Sequence, residues 1–126
     1  MSEAAPLVVV ADDSDDIIML VQTALTRSGY EVITAGDGET ALGLIRERRP
    51  ALAVLDVSMP KLDGLGVLVQ VREDPSLAGL PVILLSALAQ ESDVERGYKL
   101  GAARYVRKPF SPRQLVATVE QVLDAG

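Results

Sequence analysis

The chain contains neither cysteine nor histidine. The absence of cysteine excludes disulfide bonds and thiolate metal sites within the chain. The absence of histidine excludes an imidazole that acts as a base, binds a metal or carries a phosphoryl group. Any histidine in the mechanism must therefore come from a partner, and carboxylates, amines and hydroxyls remain as the reactive groups of the chain itself.

Aromatic residues, positive charge and long apolar runs are also scarce. Only 3% of the residues are aromatic, and 12 basic against 18 acidic residues give a net charge of -6. This acidic balance argues against direct binding of nucleic acid. The chain shows no secretory leader, and its apolar runs fall far short of the roughly 20 residues that cross a membrane. We therefore expect a soluble, cytoplasmic protein without membrane insertion.

The length and composition suit one folded domain. A chain of 126 residues that is 48% hydrophobic is long enough to bury a core without covalent cross-links. We expect a flexible N-terminal leader over residues 1–6 and a folded domain over residues 7–124. The first methionine suggests a natural amino terminus, whereas the end after the last helix fits a domain excised from a longer protein equally well.

Short apolar runs alternate with longer amphipathic stretches, which is typical of a parallel α/β sheet. The pattern contains five strand–helix units. Right-handed crossovers with helices on both faces predict a doubly wound parallel sheet with strand order 2-1-3-4-5. The predicted strands are Leu7–Ala11, Val32–Ala35, Leu52–Asp56, Val82–Ser86 and Arg104–Arg107.

Capping residues mark the predicted helix ends. Ser14 is a typical N-terminal cap, Gly29 a typical stop, and Ser111-Pro112 a cap followed by proline at the first helical position. A weaker helix is predicted over Glu91–Leu100.

Charged residues stand where three of the predicted strands end. Asp12 and Asp13 follow the first strand, Asp56 ends the third, and Lys108 follows the fifth. Because the carboxyl ends of parallel strands line one crevice, these three carboxylates and one ammonium should meet there. Such a cluster is unfavourable without a cation, which indicates a metal site and a phosphoryl group.

The oxygen-rich cluster suits Mg²⁺, which prefers an octahedron of oxygen ligands and keeps several waters. We expect Asp13 and Asp56 to bind the ion directly and Asp12 to bind through water. The backbone carbonyl of Ser58 is a further expected ligand. For the Asp12-Asp13 pair alone, the alternative is a solvated cap at the entry of the first helix.

Asp56 is a candidate nucleophile, because a carboxylate at the end of a buried strand can attack a phosphoryl donor in line. Lys108 would neutralise charge on the transferring group. The hydroxyl of Ser86, at the end of the fourth strand, could donate to a phosphoryl oxygen. The alternative for Ser86 is that it caps the following helix.

Over nearly its whole length the chain resembles the receiver domain of two-component response regulators, a flavodoxin-like fold, and in particular the single-domain chemotaxis regulators. The motifs that carry the resemblance occur in the expected order, each at the end of a predicted strand. They are Asp12-Asp13, Asp56 with Met59-Pro60 and Asp63-Gly64, Leu84-Leu85-Ser86-Ala87, Gly101-Ala102, and Tyr105-Val106-Arg107-Lys108-Pro109-Phe110.

The resemblance implies that Asp56 accepts a phosphoryl group from a phosphohistidine on a histidine kinase or histidine phosphotransfer protein, with Mg²⁺ required. Asp12 and Asp13 would be the metal-binding acids and Lys108 the cation that binds the phosphoryl group. Such a domain assists its own phosphorylation and slow autodephosphorylation but is not a turnover enzyme.

The resemblance also implies a switch. Ser86 would be the switch hydroxyl and Tyr105 the switch aromatic, which turns inward after phosphorylation; the alternative for Tyr105 is an ordinary half-buried tyrosine. Ser58 and Leu88 stand at the variable positions that tune the lifetime of the phosphoaspartate, and we expect an apolar Leu88 to hinder an attacking water.

The expected output surface comprises the fourth helix, the fifth strand and the fifth helix. It would change shape for a downstream protein target or output domain, and a phosphorylation-dependent dimer is a further expectation. In this chain it includes a basic patch on an acidic protein, although a merely solvated face is the alternative. Its residues are Arg96, Tyr98, Lys99, Arg104, Val106 and Arg113.

Three other functions fit the sequence less well. A flavin-binding protein of this fold needs a phosphate loop after the first strand, where Asp12–Asp16 would repel a phosphate. A phosphatase with an aspartyl nucleophile would need a second acid two residues after Asp56, where Ser58 stands. A receiver that is never phosphorylated is disfavoured because every site residue is present.

Overall fold

The computed structural model describes residues 5–87 and 90–125. Its five strands all pair in parallel, in the order β2-β1-β3-β4-β5. The elements follow one another as β1 (Leu7–Ala11), α1 (Asp15–Arg27), β2 (Glu31–Ala35), α2 (Gly38–Arg48), β3 (Leu52–Asp56), α3 (Gly64–Glu73), β4 (Val82–Ser86), α4 (Glu91–Lys99), β5 (Arg104–Arg107) and α5 (Pro112–Ala125). The predicted fold and strand order are confirmed, with β2 one residue longer and α4 one residue shorter than expected.

Side-chain caps start most of the helices. The hydroxyl of Ser14 accepts a hydrogen bond from the Ile17 amide at the start of α1. Asp37 and Asp63 accept in the same way at the starts of α2 and α3, and Ser111 accepts from Gln114 at the start of α5. These bonds satisfy amides that have no partner within the helix. Helix α4 differs, because its cap residue Gln90 makes no such side-chain bond to the described residues.

The core lies on both sides of the sheet. Every residue of β3 and β4 is buried, as expected for central parallel strands covered on both faces. One cluster packs α2 and α3 against the sheet, and the other packs α1 and α5 against its opposite face. The helices cover both faces of the sheet but leave the carboxyl ends of β1, β3 and β4 open as a candidate site.

The partly buried cation Arg72 connects three parts of the chain. Its guanidinium donates hydrogen bonds to the carbonyls of Ala78 and Leu80, at 3.1 and 2.7 Å, and to the carbonyl of Gly101, at 2.7 Å. Burial lowers the pKa of Arg72. This contact between α3 and the loops that lead into β4 and β5 has no signal in the local sequence pattern.

Two sequence expectations concern the chain outside the core. The structure describes only residues 5 and 6 of the predicted leader, since residues 1–4 lie outside the described part. Among the described helices, none is both long and apolar enough to span a bilayer.

Candidate functional site

The predicted acids meet at the carboxyl end of the sheet. Asp12 and Asp13 follow β1, Asp56 is the last residue of β3, and each offers a carboxylate oxygen within 4.8 Å of the others. Asp12 and Asp56 are buried, whereas Asp13 is exposed. Strands β1 and β3 are neighbours in the sheet, and this pairing brings together acids that are more than 40 residues apart in sequence.

Lys108 reaches this cluster from the end of β5. Its Nζ lies 2.9 Å from Oδ2 of Asp12 and 3.3 Å from Oδ1 of Asp56. Among the described residues, Oδ2 of Asp12 has no partner besides this ammonium. The Lys108-Pro109 peptide bond is cis. One ammonium thus faces two buried carboxylates, so the negative charge of the cluster exceeds the positive charge beside it.

The surroundings of Asp56 raise the pKa of its carboxyl group. Burial and the charge of Asp12 raise the pKa of Asp56 to about 6, against the opposing effects of Lys108 and of the Ser58 amide. Burial alone lowers the pKa of Lys108, but its bonds and charge interactions with Asp12 and Asp56 outweigh burial and raise it. The ion pair therefore stabilises the ammonium without fully compensating the burial of the Asp56 carboxylate.

The acid pair after β1 does not cap the first helix. The cap of α1 is Ser14, and Asp12 instead accepts a hydrogen bond from the Ser14 amide at 2.9 Å. This bond orients the Asp12 carboxylate inside the crevice, while Asp13 stays at its exposed rim. The capping interpretation of the pair is therefore wrong, and the metal-binding interpretation stays a prediction.

Two glycines hold the loop that follows Asp56. A Cβ at Gly64 would collide with the backbone carbonyl of Asp56, and a Cβ at Gly38 would collide with the carbonyl of Leu62. The Gly64 amide also donates to the Val57 carbonyl at 3.0 Å. The need for glycine at both positions follows from the close approach of α2 and α3 to this loop, which is visible only in three dimensions.

Ser86 ends β4 and is buried, with 2% of its surface exposed. Helix α4 begins at Glu91 with Gln90 as its cap, so the alternative role of Ser86 as a helix cap is wrong. Ser58 lies in the loop over residues 57–63, called the acceptor loop because Asp56 is the candidate phosphoacceptor. The Ser58 amide donates to Oδ1 of Asp56 at 3.4 Å. Leu88 lies outside the described residues, and its expected effect on hydrolysis stays a prediction.

Tyr105 is half-buried and packs on the cluster formed by α2 and α3. Beside it lies a cavity of about 390 Å³ between the acceptor loop and α4. Ser58, Met59 and Asp63 line the cavity on the loop side, and Arg96 lines it from α4. The tyrosine ring thus lies between the acceptor loop and the outer face of the domain.

The expected basic face is present with one correction. Val106 is only 8% exposed and packs in the cluster with α1 and α5, because alternation along β5 turns its side chain away from Tyr105 and toward α5. The other residues of the face are exposed, namely Arg96, Tyr98, Lys99, Arg104 and Arg113.

Comparison with known proteins agrees with this architecture. Residues 8–120 match the family model of the response regulator receiver domain. The probable transcriptional regulator ycf27 of Porphyra purpurea is 47% identical over 92% of this chain and 46% of its own length. The alkaline phosphatase synthesis transcriptional regulatory protein PhoP of Bacillus subtilis is 46% identical over 92% of this chain and 48% of its own length. The chain thus spans about half the length of these relatives.

Solved structures of receiver domains and chemotaxis proteins also superimpose closely on this chain. The receiver domain of the Francisella response regulator 1452 superimposes with a TM-score of 0.89 at 35% identity, over 95% of this chain and 98% of that one. The Vibrio cholerae chemotaxis protein CheY4 superimposes with a TM-score of 0.88 at 32% identity, over 94% and 99% of the two chains. Together with the acid cluster at the carboxyl end of the sheet, these matches show that the chain belongs to the response regulator receiver domain family, whose members are signalling domains.

Proposed function

We propose that Asp56 is the phosphoacceptor of a signalling switch and receives its phosphoryl group from a phosphohistidine on a partner kinase or phosphotransfer protein. The observation that carries this proposal is the position of Asp56, which ends the central strand with Lys108 at 3.3 Å and two further acids beside it. The chain contains no histidine, so the phosphohistidine must belong to the partner.

In the proposed transfer, a carboxylate oxygen of Asp56 attacks phosphorus while the bond from phosphorus to the imidazole nitrogen breaks. The electron pair of that bond leaves with the imidazole of the partner, which takes up a proton. Lys108 balances charge on the phosphoryl oxygens as they reach Asp56. The product is an acyl phosphate on Asp56, whose slow hydrolysis by water would reset the switch without turnover of a substrate.

Three residues would hold Mg²⁺ in this mechanism: Asp12, Asp13 and Asp56, with the carbonyl of Ser58 as a fourth ligand. The donor set fits, because it consists of oxygens only and carries more negative charge than Lys108 compensates. When bound, the ion would neutralise charge on the transferring group. Asp12 would bind through water, since its Oδ1 and Oδ2 already contact the Ser14 amide and the Lys108 ammonium.

The conformational change would extend from Asp56 to the face formed by α4, β5 and α5. In the proposal the buried Ser86 hydroxyl donates to a phosphoryl oxygen and draws in the segment after β4. Tyr105 then turns inward, and the cavity of about 390 Å³ beside it supplies the space. The exposed residues of the face would change position for a downstream partner, and the same change would support a phosphorylation-dependent dimer.

We further propose that residues 7–124 form a receiver domain that controls a separate output domain. The relatives named transcriptional regulators are about twice as long as the matched region, which supports a downstream output domain that binds DNA. The acidic receiver itself would make no nucleic-acid contact. A single-domain switch like the chemotaxis protein is the second candidate, favoured by the near-complete coverage of CheY4.

Intact mass after incubation with acetyl phosphate tests the phosphoacceptor. We expect one phosphoryl adduct that requires Mg²⁺ and is absent from Asp56→Asn. Asp74→Asn is the matched control, because it removes a partly exposed acid outside the crevice and should leave the adduct unchanged. An adduct that persists in Asp56→Asn would refute the assignment of Asp56.

A further inference from the structure

The outer edge of β5 carries an unusual hydrogen bond. The backbone amide of Tyr105 donates to the phenolic oxygen of Tyr98 at 3.2 Å. The Lys108 amide donates to the Ser86 carbonyl and so faces β4. Because amide directions alternate along a strand, the Tyr105 amide faces the opposite, open side. A side chain of α4 thus occupies a backbone donor that a sixth strand would otherwise use.

Helix α4 has few other anchors. Gly97 is its only buried residue among Glu91–Lys99, and its cap residue Gln90 makes no side-chain bond to the described residues. Tyr98 itself is 44% exposed, so its side chain is only partly held by burial. The hydrogen bond to the Tyr105 amide is therefore one of the contacts that hold this helix against β5.

The same bond lies beside the ring of Tyr105. A Cβ at Gly97 would lie 3.0 and 3.3 Å from Cδ2 and Cε2 of that ring, so the ring packs on the backbone of α4. The main chain of Tyr105 is thus tied to Tyr98 while its ring rests on the adjacent residue. Three residues further along the chain, Lys108 contacts Asp56.

We propose that the Tyr98 hydroxyl is a latch that holds α4 and β5 in the unphosphorylated arrangement and thereby sets how readily the domain is phosphorylated. The proposal rests on the proposed switch function. When the ring of Tyr105 turns inward, it leaves its packing position on Gly97 and α4 shifts with it. The hydrogen bond between Tyr98 and Tyr105 opposes this shift of α4. Loss of the bond raises the population of the arrangement that accepts the phosphoryl group.

Tyr98→Phe removes only the hydroxyl and is the direct test. Amide hydrogen exchange of Tyr105, followed by NMR in the unphosphorylated protein, is expected to become about fivefold faster, the effect of one ordinary hydrogen bond. The initial rate of phosphorylation by acetyl phosphate with Mg²⁺ is expected to rise by up to about the same factor. Tyr30→Phe is the matched control, because Tyr30 packs on the opposite side of the sheet, against the α1 and α5 cluster.

The exchange rate of the Tyr105 amide and the phosphorylation rate test different parts of the proposal. Unchanged exchange at Tyr105 in Tyr98→Phe would overturn the latch. Faster exchange with an unchanged phosphorylation rate would overturn its coupling to the site. If the wild type took up no phosphoryl group at all, the proposed function would fail, and the exchange rates would still decide whether Tyr98 holds β5.

Discussion

The Lys108 ammonium lies 3.3 Å from Oδ1 of Asp56, on the carboxylate that we propose as phosphoacceptor. The same ammonium lies 2.9 Å from Asp12, so it is shared between two acids. Burial of Asp56, followed by the charge of Asp12, raises the pKa of Asp56 to about 6 even though a cation is in contact. The metal-free site is therefore electrostatically unfavourable, and three predictions follow from its contacts and from the loop that supports it.

The first prediction concerns the pH dependence of stability without metal. Because the pKa of Asp56 is raised from 3.8 to about 6, the folded state binds this proton more tightly than the unfolded state. The contribution of Asp56 thus favours folding at low pH and is lost as the pH rises through about 6. Asp56→Asn, which stays neutral, should be more stable than the wild type at pH 7 by about 1–3 kcal/mol.

Urea denaturation in EDTA at a series of pH values measures this difference. The stability gap between Asp56→Asn and the wild type should widen from about pH 4 to about pH 6 and then level off. Asp74→Asn is the control, because hydrogen bonds from Ser76 lower the pKa of Asp74 and no such gain should appear. A gap that is constant with pH would show that Asp56 has an ordinary pKa.

The second prediction concerns Lys108. Lys108→Met leaves Asp12 and Asp56 without their cation, so the metal-free protein should lose about 2 kcal/mol of unfolding free energy. The same loss of positive charge should make Mg²⁺ bind more tightly, since the ammonium and the ion compete for the same acids. Calorimetric titration with Mg²⁺ and urea denaturation measure the two effects.

Lys61→Met is the matched control for Lys108, because the Lys61 side chain is 61% exposed and its ion pair with Asp37 is 3.9 Å long. It should change neither quantity appreciably. Weaker Mg²⁺ binding in Lys108→Met would contradict the view that the ammonium competes with the ion.

The third prediction concerns the glycine that supports the acceptor loop. Gly64→Ala places a methyl group against the backbone carbonyl of Asp56, and the backbone there must move to admit it. We expect a loss of about 1–3 kcal/mol of stability and slower phosphorylation by acetyl phosphate. Gly43→Ala is the control, because a Cβ at Gly43 in α2 meets no atom within 4 Å and should stabilise the helix slightly. Equal stability of the two variants would show that the loop adapts freely.

Much of the fold was predictable because its signals are local. Apolar runs predicted the strands, and caps such as Ser14 and Ser111 predicted where helices begin. The rule that parallel strands expose their carboxyl ends in one crevice then predicts that Asp12, Asp56 and Lys108 lie together. Each of these inferences depends on residue type and spacing along the chain, which the sequence states directly.

Other features depend on the distance between atoms far apart in the chain. The burial of Val106 follows from which side of β5 faces α5, and the need for glycine at position 38 follows from its approach to Leu62. The bond between Tyr98 and Tyr105 requires α4 to lie at one particular height along β5. Composition and periodicity therefore determined the architecture and the reactive groups of this protein. Only the tertiary structure decided the charge balance at Asp56 and the attachment of α4, because hydrogen bonds and ion pairs change over fractions of an ångström that no sequence pattern specifies.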